Sequence, residues 1–225
     1  MEEIAVIRTD LKQKFGLPRQ SGLADGLKGT IVFHPKYRDP NALRGIEGWS
    51  HLWILWKFSL AERDTWSPTV RPPRLGGNTY MGVFATRSPF RPNPIGLSCV
   101  KLEGIDLDTP DGPVLRVSGI DMMDGTPVYD IKPYLPYADC RPEASGGFAE
   151  AVKDYALKVE CPEELLARIP EEKREGLLQL LAQDPRPAYK RNDSRVFGFG
   201  YAGFEVRFSA ENGVLYVVSI EKSER

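Results

Sequence analysis

Hydrophobic and polar positions alternate most regularly over residues 50–59. In an extended chain, one face of this segment carries four apolar side chains: Leu52, Ile54, Trp56 and Phe58. Side chains of a strand point alternately to its two faces, so this pattern predicts a long strand with one face in a core. The opposite face, which includes His51 and Trp53, would be only partly covered.

Further short segments have the β-branched and apolar composition of strands: residues 4–8, 29–34, 81–86, 95–105, 114–120 and 128–131. Turn signals separate them, and no helical pattern between them is long enough for a βαβ crossover. The sequence therefore predicts a mainly β protein. Residues 1–140 would form about seven antiparallel strands that close, or nearly close, into a barrel.

The composition changes after Asp139. Residues 143–147 (EASGG) predict a linker. Pro162 and Pro170 are each followed by two glutamates, which suits the first turn of a helix. A small antiparallel sheet is predicted from residues 195–199, 204–209 and 214–220, with Asn212–Gly213 as a hairpin turn. We expect a small α+β C-terminal domain over residues 148–225.

A glycine-rich segment, GFGYAG at residues 198–203, matches the GxGxxG pattern of dinucleotide-binding Rossmann folds. No helical pattern follows it, and the next residues have strand character. We therefore interpret the segment as a glycine-rich turn between strands, and a Rossmann oxidoreductase is disfavoured.

Composition excludes several classes of protein. The chain has 225 residues, a net charge of −1, three cysteines and two histidines. Widely spaced cysteines, odd in number, argue against a disulfide framework or a zinc site and favour a reducing cytoplasm. No apolar run approaches the length of a membrane span, so no membrane location is expected. Two histidines are too few for a histidine-rich metal site, so no metal is expected either. A nucleic-acid partner would need a local basic patch.

The segment GVFATRSPFRPNP, residues 82–94, is the most distinctive stretch of the chain. Three prolines exclude a helix or a central strand and stiffen the loop that carries Arg87 and Arg91. A guanidinium held in a rigid loop is suited to binding a carboxylate or phosphate. The alternative is a stiff connection with solvated arginines.

This segment resembles the signature of the TsaA-like, TrmO-type family. Five further stretches resemble the same family: residues 15–22 (FGLPRQSG), 44–52 (RGIEGWSHL), 71–78 (RPPRLGGN), 124–134 (DGTPVYDIKPY) and 181–189 (LAQDPRPAY). The resemblance implies an S-adenosylmethionine-dependent methyltransferase that acts on N6 of threonylcarbamoyladenosine at position 37 of tRNA. It also implies a homodimer with cofactor sites close to the subunit interface.

The residues we expect at the S-adenosylmethionine site come from several stretches. They are Arg19, Gln20, Ser21, Gly22, Phe58, Ser59, Arg87, Leu97, Asp121, Asp124, Gly125, Thr126 and Pro127. The family resemblance places Arg87 and Leu97 at this site, whereas Phe58 is alternatively a core residue and the 19–22 segment alternatively a plain surface loop. The 19–22 loop offers a guanidinium, an amide and backbone N–H groups for the amino-acid end of the cofactor. The carboxylates of Asp121 and Asp124 would face its sulfonium, although residues 124–125 also have the composition of a simple hairpin turn.

For tRNA, we expect contacts from Arg91 and from a second stiff, basic stretch that contains Arg186, Tyr189 and Lys190. That second stretch is alternatively a hinge between domains. A catalytic base is not identified: His51 is either a core histidine or a base.

Two alternative functions stay open at this point. One is a methyltransferase of the same fold that acts on a small molecule, which would not need the basic loops. The other is a non-catalytic barrel that binds nucleotide or RNA, which would bind the cofactor weakly or not at all.

Overall fold

The structure is a computed structural model that describes residues 1–61, 65–75, 78–186, 193 and 195–223. Its N-terminal strands are β1 (Ala5–Thr9), β2 (Lys28–Phe33), β3 (His51–Lys57), β4 (Thr69–Val70), β5 (Met81–Gly82), β6 (Ile95–Asp106), β7 (Val114–Ser118) and β8 (Thr126–Pro133). Six of these strands close an antiparallel barrel in the order β1-β2-β7-β6-β3-β8. The prediction of a mainly β barrel is confirmed.

Strand β3 has the alternation of buried and partly exposed residues that its sequence predicted. Leu52 and Ile54 are completely buried and Trp56 is nearly so, whereas the residues between them are half-buried. Trp56 lies over Gly96 of β6, where a Cβ would be 2.2 Å from the indole ring. Only glycine at that position lets the indole fill the end of the barrel.

The segment 81–86 is not the seventh barrel strand that its apolar composition predicted. Only Met81 and Gly82 are extended, and they pair with β4 in a separate two-stranded ribbon. Residues Val83–Ala85 form a 3-10 helix in which Val83 is buried and Phe84 is exposed. The six other strands already close the ring, so this segment finds no sheet edge in the barrel and its apolar side chains mostly face outward.

The C-terminal part combines a sheet with helices. A short helix, α1 (Pro136–Asp139), follows β8, and the elements of the C-terminal part are β9 (Lys158–Glu160), α2 (Glu163–Leu166), α3 (Glu171–Ala182), β10 (Phe197–Tyr201), β11 (Phe204–Glu211) and β12 (Val214–Lys222). The sheet order is β10-β11-β12-β9, and β9 runs parallel to β12, which the sequence did not predict.

The GFGYAG segment is strand β10 followed by a hairpin turn. Ala202 and Gly203 both have positive φ, as do Asn212 and Gly213 at the next turn, which matches the twist of antiparallel strands. Strand β11 begins directly at Phe204. The absence of a Rossmann helix is as predicted, but the turn is limited to Ala202 and Gly203, because residues 198–201 continue strand β10.

The C-terminal part packs closely on the barrel. Helix α3 meets the loop before β2 backbone to backbone, since a Cβ on Gly176 would lie 2.7 Å from the carbonyl oxygen of Gly26. The Gln179 side chain accepts a hydrogen bond from the Gly26 N–H at 2.8 Å, and Lys173 forms an ion pair with Asp10 at 2.7 Å. One continuous cluster of buried apolar side chains joins the two parts.

Two kinds of feature are absent from the described residues. No helix among them has the length and apolar character needed to cross a membrane. No group of histidine, cysteine, aspartate and glutamate side chains in that part of the chain is arranged to hold a metal ion.

Candidate functional site

The proline-rich loop is held in shape by its own side chains. The Thr86 hydroxyl accepts a hydrogen bond from the Ser88 N–H at 3.2 Å, and the Ser88 hydroxyl accepts one from the Phe90 N–H at the same distance. The Arg91 guanidinium donates to the Thr86 carbonyl at 3.1 Å. Arg91 therefore fixes the loop, while Arg87 stays exposed.

Arg87 meets the 19–22 loop across the end of the barrel. Its Nη1 donates a hydrogen bond to Oε1 of Gln20. Its charge also acts on the carboxyl group of Asp121. Three residues that are distant in sequence and were predicted at the cofactor site are thus brought together.

Asp121 is the acidic member of this cluster. Its Oδ1 accepts a hydrogen bond of 2.6 Å from the Ser98 hydroxyl, which in turn accepts one of 2.8 Å from the Trp56 indole. Burial raises the pKa of the Asp121 carboxyl, although hydrogen bonds from Ser98 and from backbone N–H groups, and the Arg87 charge, oppose the rise. The carboxylate is therefore costly to ionise unless a further cation lies beside it.

Ser98 and Trp56 were not predicted at this site. The signal was available, because Ser98 is a polar residue at an inward position of β6, between Gly96 and Val100. A completely buried hydroxyl in a barrel strand needs a hydrogen-bonding partner, and here it joins Asp121 to the wall of the barrel.

The 19–22 loop lies beside the end of β7, between Gly119, which follows β7, and Cys99 of β6. The Gly22 N–H donates to the Gly119 carbonyl at 2.9 Å, and the Ser21 hydroxyl accepts from the Cys99 N–H at 3.0 Å. Gly22 has φ +75°, and nothing lies within 4 Å of where its Cβ would be. The loop therefore presents backbone to open space, as a ligand cradle requires.

Arg19 turns away from this cluster. Its Nη2 donates to the carbonyl oxygen of Arg186 at 3.4 Å, so its side chain contacts the C-terminal part instead.

Phe58, Ser59 and Leu97 belong to the adjoining ends of β3 and β6, where Lys57 pairs with Ile95. The Phe58 N–H donates to the Pro94 carbonyl at 2.8 Å, and its ring centroid is 4.2 Å from that of Trp56. Leu97 is 52% exposed on the outer face of β6, and Ser59 is also exposed. Phe58 therefore packs against the core side of the barrel, whereas Leu97 and Ser59 are accessible.

The 124–127 stretch is bound to β1. Oδ1 of Asp124 accepts from the Thr9 N–H at 3.0 Å, and the Gly125 N–H donates to the Ile7 carbonyl at 2.8 Å. The Thr126 hydroxyl donates to the Met123 carbonyl at 2.7 Å, and Pro127 pairs with Val6. The Asp124 carboxylate is thus engaged in closing the barrel, and Asp121 is the carboxylate that faces Arg87.

A shallow depression of about 440 Å³ adjoins the cluster on the outer face of the barrel. It is lined by His51, Trp53, Cys99, Tyr134 and Asp139. The Trp53 indole donates to Oδ2 of Asp139 at 2.7 Å, and the ring centroids of Trp53 and Tyr134 are 5.7 Å apart. The Cys99–Ser21 hydrogen bond joins this depression to the 19–22 loop.

His51 is half-buried on that outer face rather than in the core of the barrel. Its Nδ1 lies 2.9 Å from the Ser50 hydroxyl, and its ring meets that of Tyr134 edge-on. Burial raises the pKa of the nearby Cys99 thiol, and the Asp139 charge adds to the effect. Cys99 is therefore not an activated nucleophile.

Arg186 occupies a very different environment from the one predicted. It is 3% exposed, and its Nε and Nη2 bind the two carboxylate oxygens of Asp184 at 2.8 and 3.2 Å. Its Nη1 also donates to the Ala210 carbonyl at 3.0 Å. This buried position does not agree with a phosphate contact by Arg186. Tyr189 and Lys190 lie outside the described residues.

Comparisons with known proteins agree with the sequence motifs. The sequence models of the tRNA-methyltransferase O N-terminal domain and the TrmO C-terminal domain match residues 6–140 and 154–223. The tRNA (adenine(37)-N6)-methyltransferase of Escherichia coli is 43% identical, and the match covers 98% of this chain and 97% of that protein. A putative S-adenosylmethionine-dependent methyltransferase of Pseudomonas aeruginosa is 45% identical over 84% of this chain and 82% of its own length.

A solved structure gives the same result. The crystal structure of TrmO from P. aeruginosa matches with a TM-score of 0.77 at 36% identity and covers 98% of this chain and 95% of that one. The resemblance expected from the six motifs is confirmed. The chain therefore belongs to the tRNA-methyltransferase O family.

Proposed function

We propose that this protein transfers the methyl group of S-adenosylmethionine to N6 of threonylcarbamoyladenosine at position 37 of tRNA. The observation that carries the proposal is the cluster of Arg87, Gln20, Ser21 and Asp121 at the end of the barrel. It unites the two motifs, FGLPRQSG and GVFATRSPFRPNP, on which the family resemblance mainly depends.

The chemistry of the cluster fits this cofactor. The exposed Arg87 guanidinium is suited to the cofactor's carboxylate, and the Asp121 carboxylate is suited to a cationic group. Open space above Gly22 leaves room for a ligand against the backbone, and the exposed Leu97 offers an apolar contact. The bound cofactor would supply a methyl group that is electrophilic because it is attached to a sulfonium.

The residues of the chain would act mainly by positioning. The acceptor nitrogen is a urea-type N–H and a weak nucleophile, so its alignment with the methyl group is the main contribution expected of the protein. We assign the acceptor base to the depression beside Cys99, because Trp53 and Tyr134 offer aromatic surface there. Asp121 and Arg87 would hold the opposite charges of the cofactor in place.

The arrangement of the whole protein is part of the proposal. Residues 1–140 would form the catalytic unit and residues 148–225 a smaller second unit that supports the 19–22 loop through Arg19. We further propose a homodimer, which would cover apolar surface such as Leu97. Light scattering that gave a monomer at micromolar concentration would contradict the dimer and leave the assignment of the reaction intact.

The proposed reaction can be tested with radiolabelled cofactor. We expect transfer of label to tRNA that carries threonylcarbamoyladenosine and no transfer to an unmodified transcript of the same sequence. Mass spectrometry of digested nucleosides should place the methyl group on that nucleoside. Equal labelling of both RNAs would contradict the substrate, and absence of labelling with normal cofactor binding would favour a different acceptor.

A further inference from the structure

Three aromatic side chains are exposed on and beside the β4–β5 ribbon. Trp66, Tyr80 and Phe84 are 54%, 56% and 73% exposed. We call the surface formed by these three side chains and Arg71, which the β4–β5 ribbon carries, the aromatic ribbon. Exposed aromatic rings close together are costly in water and are typical of a binding surface.

The rings are arranged in two groups at opposite ends of the ribbon. At one end, the ring centroids of Trp66 and Phe84 are 6.2 Å apart. At the other end, the Arg71 guanidinium lies over the Tyr80 ring at 4.5 Å and donates to its hydroxyl. The pairing of Thr69 with Gly82 and of Val70 with Met81 fixes the spacing between the groups.

The β4–β5 ribbon is ordered by its own hydrogen bonds, and the buried Val83 anchors one end of it. Val83, which directly follows β5, is 1% exposed, and its N–H donates to the Pro68 carbonyl at 2.9 Å. The Ser67 hydroxyl donates to the Thr69 carbonyl at 2.8 Å and stiffens the approach to β4. The aromatic rings are therefore presented from an ordered base.

The charge of the segment favours a polyanion. Residues 65–94 contain four arginines and no aspartate or glutamate, although the net charge of the chain is −1. Arg91 is bound to the Thr86 carbonyl and Arg87 belongs to the cofactor cluster, so Arg71 and Arg74 are the arginines of the ribbon segment. Arginine interleaved with exposed aromatic rings is the surface that single-stranded RNA recognises, because bases stack on the rings while guanidinium groups meet phosphates. Two such basic ribbons facing each other across a dimer axis would repel.

We propose that the aromatic ribbon stacks unpaired bases of the anticodon loop next to the nucleotide that is methylated. The 3-10 helix Val83–Ala85 connects the ribbon to the segment that carries Arg87. RNA bound on the ribbon would therefore lie close to the cofactor cluster. This inference rests on the proposed function for the identity of the RNA.

The test uses the full-length protein and a synthetic anticodon stem–loop RNA without modifications. We expect Trp66→Ala combined with Phe84→Ala to weaken RNA binding by about tenfold to a thousandfold, since each stacked base contributes strongly. Trp66→Phe with Phe84→Trp, which keeps two rings, should restore binding to within about fivefold of the unchanged protein. Tyr216→Ala, which removes an exposed ring from the C-terminal sheet, is the matched control and should have no effect.

Three further readouts distinguish base stacking from a general loss of folding or of cofactor binding. Cofactor affinity and melting temperature should be unchanged in the double alanine variant, and kcat at saturating tRNA should be preserved while KM rises. Quenching of tryptophan fluorescence by the RNA should be smaller in the double alanine variant, which lacks Trp66, than in the unchanged protein. RNA binding that is unaffected by the double substitution, or lost equally in Tyr216→Ala, would overturn the inference, as would a halving of the mass in light scattering.

The RNA-binding measurement does not depend on turnover. If the unchanged protein binds the stem–loop through the ribbon but transfers no methyl group to tRNA, the proposed reaction fails and the ribbon assignment stands. If it methylates tRNA and the double variant binds RNA normally, the ribbon assignment fails alone.

Discussion

Two arginines from proline-containing basic stretches have opposite environments in this protein. Arg87, in the loop before β6, is exposed and contacts Gln20 at the end of the barrel. Arg186, in the DPRP stretch after α3, is buried against Asp184, which is itself completely buried. Both stretches are basic and contain proline, but only the first guanidinium is available to a ligand.

The difference comes from the neighbours of each arginine. Asp184 has φ +53°, which turns the chain just after α3 and lets its carboxylate meet the Arg186 side chain two residues later. The Tyr155 hydroxyl donates to the same carboxylate at 2.8 Å. Burial would raise the pKa of Asp184, but Arg186 and Tyr155 outweigh it and hold the pKa below its usual range. Arg87 has no acid within its own loop.

The largest effect is expected from breaking the buried pair. Arg186→Ala should lower the free energy of unfolding by about 3–5 kcal/mol, because it leaves the Asp184 carboxylate buried without its cation. Urea denaturation measures this change. Arg87→Ala is the matched control and should cost less than about 1 kcal/mol, since Arg87 is at the surface. Equal losses in the two variants would contradict the contrast.

The reverse order is expected for cofactor binding. Arg87→Ala should weaken S-adenosylmethionine binding by about 1.5–3 kcal/mol, the range for a lost charge-assisted contact. Arg87→Lys should retain part of the affinity because a point charge replaces the planar fork. Calorimetry provides the measurement, with circular dichroism as the check on folding. An unchanged dissociation constant in Arg87→Ala would exclude Arg87 as a ligand.

The carboxylate of Asp121, the acidic partner of Arg87 in the cofactor cluster, should make cofactor affinity depend on pH. Its pKa is raised by burial, so its carboxylate loses its charge as the pH falls through that raised value. If the carboxylate holds a cationic group, cofactor affinity should decrease over the same interval and be restored above it. Asp121→Asn should remove this step from a calorimetric pH series. A step of the same size in the variant would assign the titration to another group.

The smallest effect is expected at the glycine-rich segment. Gly200 lacks a positive φ, and its nearest neighbour would be Gln13 at 4.0 Å from a new Cβ. Gly200→Ala should therefore change the free energy of unfolding by no more than about 1 kcal/mol and leave cofactor affinity unchanged. Loss of cofactor binding by the folded variant would contradict the assignment of GFGYAG as a strand and turn.

The sequence predicted those elements that depend mainly on local patterns of apolar residues and turn residues. Strand β3 was predicted because alternate positions such as Leu52 and Ile54 must face a core. The Asn212–Gly213 turn was predicted because glycine and asparagine tolerate positive φ. Closure by six strands could not be predicted, since whether the 81–86 segment joins the barrel depends on which sheet edges the other strands leave open.

Only some of the residues that the motifs placed at the candidate site lie together in the structure. Gln20, Ser21, Arg87 and Asp121 meet as the motifs indicated, but the sequence could not show that Arg19 turns to the C-terminal part. It also could not show that Asp124 is held by β1. Similarly, the linker composition of residues 143–147 gives no sign that Gly176 packs against Gly26. These features depend on tertiary contacts between distant segments.

The central claim is the reaction itself, and tRNA from living cells tests it most directly. A strain that lacks this gene should contain threonylcarbamoyladenosine without its N6-methyl form when its tRNA nucleosides are analysed by mass spectrometry. A plasmid with the unchanged gene should restore the methylated nucleoside, and one with Arg87→Ala should restore little of it. Methylated threonylcarbamoyladenosine at normal abundance in the strain that lacks the gene would contradict the account.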